Sequence, residues 1–143
     1  MTHLLDVNVL VALVWPNHVH HRAAREWFLE FHEQGWATCP VTESGFIRVS
    51  SNQRVTPEAR TPAEAAYLLE LLCSRSGHTF LEDRVRFTQN LQTFEQISLT
   101  SAQVSDLHLI FLASGAGAIF VTFDRGAASM AVSLESHHLL LSM

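Results

Sequence analysis

The sequence predicts an α/β fold in which helices pack against a parallel β-sheet, and three observations carry that expectation. Short apolar, β-branched runs alternate with amphipathic helical patterns from one end of the chain to the other. One run, residues 118–123, is continuously apolar, which suits a central strand buried on both faces. The 143 residues, 48% hydrophobic and 16% charged, suffice for one core, so 1–143 is expected to be a single domain.

Residues 4–7 (LLDV) read as the first strand, after which Asn8 is placed to cap a short apolar helix through Val14, ended by Pro16. The segment 18–34 sets Ala24, Trp27, Phe28 and Phe31 at helical spacing and stops at Gly35. Residues 36–39 form the second strand. A helix follows over 43–51, with Thr42 as its cap and Glu43 in the first turn, where negative charge is favoured. Residues 52–60 read as a loop.

Thr61-Pro62-Ala63-Glu64 joins a capping box to a proline at the first helical position and opens a helix to Ser74, with Ala65, Leu68, Leu69 and Leu72 inward. Gly77 ends it. Residues 78–82 read as a third strand and 87–96 as a polar helix. A second capping box, Thr100 to Gln103, starts a helix to about Ser114 that ends at Gly115 and Gly117. Its Val104, Leu107, His108 and Phe111 share a face. The apolar strand 118–123 ends at Asp124, and 138–141 is the final strand.

All nine basic residues are Arg, and against 14 Asp and Glu they leave a net charge of −5. Binding of nucleic acid by bulk positive charge is thereby excluded, though a metal-assisted or locally Arg-lined site is not. Cys39 and Cys73 lack CxxC spacing, so neither a zinc cage nor a disulfide framework is expected, and a reducing compartment, the cytoplasm, is the natural setting. The apolar stretch 4–14 falls far short of the roughly 20 residues a span needs, so neither a leader nor a membrane helix is expected.

Acids at the carboxyl ends of parallel strands face the crevice where ligands bind, and Asp6 and Asp124 both qualify, although each could simply be a turn former. Asp6 is flanked by Leu4, Leu5, Val7 and Val9, where an ionised carboxylate is costly unless a cation compensates it. Glu43 complements a helix dipole on the bland reading, and Asp106 sits on a solvated face. Yet Leu109 and Ile110 share the sector of Asp106, which argues that it does not point cleanly into water. Four such carboxylates brought together would repel unless they held hard divalent cations, for which Mg²⁺ or Mn²⁺ fits an all-oxygen donor set. Zn²⁺ would want His or Cys, and the nine histidines form no ligand array by spacing; His18, His20 and His21, like His137 and His138, read as solvated patches.

In four places the sequence resembles the PIN domain family, and within it the VapC-type toxin ribonucleases. These are LLDVNVLVAL at the amino terminus, Thr42-Glu43-Ser44 followed by Gly45-Phe46-Ile47-Arg48, SAQVSDLHL around Asp106, and VTFDRG around Asp124. The resemblance implies a three-layer α/β/α fold around a five-stranded parallel sheet, and Mg²⁺-dependent endonucleolytic cleavage of RNA. It also implies that Asp6, Glu43, Asp106 and Asp124 are the catalytic metal-binding quartet. Asn8 and Thr122 match supporting polar positions, and Arg48, Arg54 and Arg125 are candidates for backbone phosphates. Toxins of this kind are silenced by a small cognate antitoxin protein and form homodimers. Three other readings remain: a PIN-like protein-binding module without turnover, a metal-dependent hydrolase of small phosphate esters, and a purely structural domain. Trp15, Trp27 and Trp36 could serve a partner surface but suit the core.

Overall fold

Five strands, β1 (His3–Leu5), β2 (Trp36–Thr38), β3 (His78–Phe80), β4 (Ile119–Thr122) and β5 (His138–Leu140), form one all-parallel sheet in the order β3-β2-β1-β4-β5. The structure, a computed structural model, describes residues 1–55 and 58–142. Among the described residues seven α-helices connect and cover the strands: α1 (Val7–Val14), α2 (His21–Phe31), α3 (Pro40–Ser50), α4 (Pro62–Cys73), α5 (Leu91–Gln96), α6 (Val104–Gly115) and α7 (Arg125–Ser133).

The alternation of side chains along each strand divides the core into two. Leu5, Trp36 and Val121 point to one face, where they meet Val9, Leu10, Trp27, Phe28, Phe46 and Leu69 of α1 to α4. Leu4, Ala37 and Phe120 point to the other and meet Leu107, Ile110, Met130 and Ala131 of α6 and α7. The sheet therefore lies between two helical layers, the three-layer α/β/α arrangement expected. All three tryptophans are buried in the first of these cores, and Trp15 Nε1 donates to Ser50 Oγ at 3.0 Å, so none of them offers a partner surface.

Local chemistry fixes the element ends. Thr61 Oγ1 accepts from the Glu64 N–H at 3.2 Å, capping α4 as its sequence predicts. Gly77 holds a φ of +87°, and a Cβ there would stand 1.9 Å from the carbonyl oxygen of His32, so only glycine lets the chain leave α4 and enter β3 at this point.

Several boundaries differ from expectation. The helix read over 18–34 is α2 followed by a 3₁₀ turn, His32–Gln34, and the polar helix read over 87–96 is a 3₁₀ turn, Phe87–Gln89, followed by α5. A 3₁₀ turn at Ser101–Gln103 precedes α6, and Val104 faces outward. Helix α7, after Asp124, was not anticipated. Of the loop read over 52–60, residues 56 and 57 lie outside the described residues. Among the described residues no helix is long and apolar enough to cross a membrane.

The chain builds β2 and β3 on one side of β1 before returning to place β4 and β5 on the other. That reversal of strand order opens a crevice beyond the carboxyl ends of β1 and β4, and the turns that follow those strands carry Asp6 and Asp124.

Candidate functional site

Asp6 leaves β1 and caps α1, taking the role the sequence assigned to Asn8. Its Oδ1 accepts from the Val7 N–H at 2.7 Å, and its Oδ2 from the Thr122 hydroxyl at 2.7 Å and Asn8 Nδ2 at 3.3 Å. The Thr122 hydroxyl is fully used: while donating to Asp6 it accepts from the Asp124 N–H at 3.0 Å and from Asn8 Nδ2 at 3.2 Å. Asn8 Oδ1 in turn accepts from the Phe123 N–H at 3.2 Å. Asn8 and Thr122 thus lock the β1-to-α1 turn against the β4-to-α7 turn and set the direction of the Asp6 carboxylate.

Asp124 caps α7, its Oδ1 accepting from the Gly126 N–H at 2.7 Å and the Ala127 N–H at 3.1 Å. Asp106 lies in the first turn of α6, half-buried, and accepts no hydrogen bond among the described residues. Burial, reinforced by the charges of Asp6 and Asp124, pushes its carboxyl up from 3.8 to about 6. Asp6 is also raised, chiefly by burial, with a contribution from Asp124 that its hydrogen bonds oppose. Three aspartates from three distant stretches therefore share one electrostatic environment.

Asp6 and Asp106 open into a cleft of about 450 Å³ that Val41, Ser44, Arg48 and Ser105 also line. Arg48 continues into a neighbouring cleft of about 700 Å³ with Arg54 and Arg60. Neither Arg48 nor Arg54 forms an ion pair among the described residues, so their charge is available to a ligand. Arg125 is exposed at the start of α7, next to Asp124. Ser44 and Ser105, present in the quoted motifs but not among the candidate site residues, each adjoin one of the candidate acids.

Glu43 has partners of its own. Helix α3 starts at Pro40, with Cys39 as its cap and the Thr42 hydroxyl accepting from the Cys39 N–H at 3.0 Å, rather than at Glu43 with Thr42 as cap. Glu43 is therefore the fourth helical residue, and side chains in a helix tilt toward its amino end. The carboxylate reaches back to β2, where its Oε2 accepts from the Thr38 hydroxyl at 2.7 Å. It stands there with Cys73 and His78, the ligating atoms of the three lying within 4.8 Å of one another. Among the described residues this is the one such close set, and the three aspartates stand farther apart. Burial and the charge of Glu43 raise the Cys73 thiol, and burial lowers His78 against the opposing pull of Glu43.

The three aspartates offer only oxygen, and among the described residues no cation pairs with Asp106, so the donor chemistry fits a hard divalent ion that keeps much of its water. The amino-terminal histidines are packed rather than solvated: His20 stacks on Phe123 at 4.3 Å between ring centres, and His21 Nδ1 lies 2.7 Å from the Ala12 carbonyl oxygen.

A family model of the PIN domain matches residues 3–132 of this chain. Ribonuclease VapC39 of Mycobacterium tuberculosis is 47% identical over 131 residues, covering 92% of this chain and 94% of that protein. Ribonuclease VapC38 of the same species is 45% identical over 128 residues, covering 90% and 89%. Among solved structures, VapBC2 from Rickettsia felis bound to a DNA fragment from its promoter superposes with a TM-score of 0.68 at 11% identity, covering 99% of this chain and 100% of that one. VapC20 of Mycobacterium tuberculosis, a Sarcin-Ricin loop cleaving toxin, gives 0.62 at 11% identity, covering 90% and 94%.

Proposed function

The chain belongs to the PIN domain family, alongside the VapC ribonucleases, and from that premise we propose that it is a Mg²⁺-dependent endoribonuclease acting as the toxin of a VapBC-type pair. The observation that carries this reading is the meeting of Asp6, Asp106 and Asp124 from three elements beside a cleft that Arg48 lines. Those three carboxylates would hold Mg²⁺, or Mn²⁺ in its place. The chemistry such an ion supplies when bound is activation of a water molecule and neutralisation of charge on the scissile phosphate.

The protein's own contributions follow from the contacts. Thr122 and Asn8 hold the Asp6 carboxylate in one orientation, and the amino end of α7 fixes one oxygen of Asp124. Arg48, on the wall shared by the two clefts, draws a phosphate toward Asp6, while Arg54 extends the path along the strand and Arg125 offers a further contact beside Asp124. No side-chain nucleophile is required, because water attacks phosphorus. Glu43, the fourth acid of the quartet that the resemblance implies, accepts a hydrogen bond from Thr38 and completes the set on this reading.

On the same reading a small antitoxin protein keeps the nuclease silent in the cytoplasm, and the toxin works as a homodimer. The likeness to VapBC2 supports the antitoxin. The deciding experiment incubates purified, antitoxin-free protein with cellular RNA and Mg²⁺ and maps new ends. Cleavage that stops in EDTA and in Asp6→Asn supports the proposal. Cleavage that survives either treatment, or hydrolysis of small phosphate esters with RNA left intact, overturns it.

A further inference from the structure

The cluster that holds Glu43 is a second place where ligating side chains converge. Its members come from four elements: Glu43 from α3, Cys73 as the last residue of α4, His78 as the first residue of β3, and Thr38 as the last of β2. The donor atoms are aimed at one another. The Thr38 hydroxyl sits between them, donating to Glu43 Oε2 at 2.7 Å and standing 2.8 Å from His78 Nε2, with Cys73 also within its influence. The Trp36 ring, fully buried and 4.7 Å from the His78 ring centre, holds the imidazole in place.

We propose that Glu43, Cys73 and His78 form a binding site for a borderline-soft divalent cation of the Zn²⁺ class, with a sulfur- and nitrogen-containing donor set that the three aspartates lack. A tetrahedral zinc with sulfur at about 2.3 Å and nitrogen or oxygen at about 2.0 to 2.2 Å sets its ligands roughly 3.3 to 3.8 Å apart. The three donors lie within 4.8 Å of one another, so closure needs shifts of about an ångström. One sulfur, one imidazole nitrogen and one carboxylate oxygen make a donor set that a hard ion disfavours and zinc accepts, with the fourth position left to water or to Thr38. All three side chains are half-buried, so an ion can reach them from solvent. Cys73 also ends α4, where the helix dipole favours positive charge. On binding, the Cys73 thiol proton passes to solvent and the thiolate takes its place on the metal. An ion held here engages the Glu43 carboxylate beside Thr38.

The test uses the full chain freed of metal with EDTA and then titrated with Co²⁺ or Zn²⁺. The expected results are a near-ultraviolet thiolate-to-cobalt absorption band and, with excess Mg²⁺ present to occupy the aspartates, one Zn²⁺ per chain by calorimetry. Cys73→Ser abolishes the band and, like His78→Gln, weakens Zn²⁺ by more than about a hundredfold, since loss of a mere supporting contact costs 10- to 100-fold. Asp106→Asn leaves both signals unchanged. Absence of the cobalt band in the unaltered protein, or Zn²⁺ binding that survives Cys73→Ser but is lost in Asp106→Asn, overturns the proposal. If His78→Gln does not fold, Cys73→Ser decides alone. Neither signal involves RNA, so the outcome is independent of the nuclease proposal.

Discussion

Asp106→Asn tests the electrostatics of the aspartate cleft most directly, because Asp106 accepts no hydrogen bond among the described residues that the amide would disturb. Its carboxyl is raised from 3.8 to about 6 by burial and by the charges of Asp6 and Asp124. A carboxyl whose value is raised by folding favours the folded state when protonated. That contribution is complete below 3.8 and is lost as the pH climbs through about 6, so near pH 7.5 the fold bears the full cost. Two pH units correspond to about 3 kcal/mol, and solvent screening of a half-exposed group reduces this to roughly 1.5 kcal/mol. In EDTA at about pH 7.5, Asp106→Asn is therefore expected to be more stable by roughly 1.5 kcal/mol in urea, or to melt about 3 to 6 °C higher. At about pH 3.5 the two proteins should coincide. Saturating Mg²⁺ reverses their order at the higher pH, because an ion at a hundred times its Kd adds about 2.7 kcal/mol to the protein that binds it. A variant less stable than the unaltered protein in EDTA at about pH 7.5, or a difference that ignores pH, would refute the reasoning.

Other outcomes follow from the same contacts. Thr122→Val removes the hydroxyl that Asp6, Asn8 and Asp124 share; it should cost about 1 to 3 kcal/mol in urea denaturation and 10- to 100-fold in RNA cleavage rate. Arg48→Ala should leave stability within about 0.5 kcal/mol while weakening RNA binding across all sequences and lowering the salt slope by about one, measured by filter binding at several salt concentrations. Gly45→Ala forces a Cβ to within 2.5 Å of Val7 Cγ2 and should destabilise the protein by roughly 1 to 3 kcal/mol, read as a lower melting temperature.

Periodicity and capping chemistry made most elements legible, because strands with continuous apolar runs and helices opening at Thr61 or Thr100 announce themselves locally. Helix phase was harder to read. Treating Thr42 as the cap placed Glu43 at the very start of α3, where its direction is free; Pro40, which needs no hydrogen-bond donor at the first position, starts the helix three residues sooner and swings Glu43 back toward Thr38. The company it keeps was hidden for another reason. Cys73 and His78 have no ligand-like spacing with Glu43 and meet it only because β2 and β3 pair side by side. Asp6 and Asp106 drew attention because a carboxylate among apolar neighbours violates local logic, and Asp124, like Asp6, because it closes a parallel strand where ligands bind. Helix α7 was missed because its buried face, Ala127, Ala128, Met130 and Ala131, is built mostly from alanine, and only the Asp124 cap marks its beginning.

The bond from Thr122 to Asp6 joins positions 116 apart in sequence. Synthesis delivers Asp6 first, yet the hydroxyl that orients it, and the backbone that seats Asp124, arrive only after more than a hundred further residues have been added. A truncated or nascent chain thus carries an acidic residue but no assembled pocket, and whatever chemistry the finished molecule performs is withheld from its own unfinished copies until β4 has slid in beside β1.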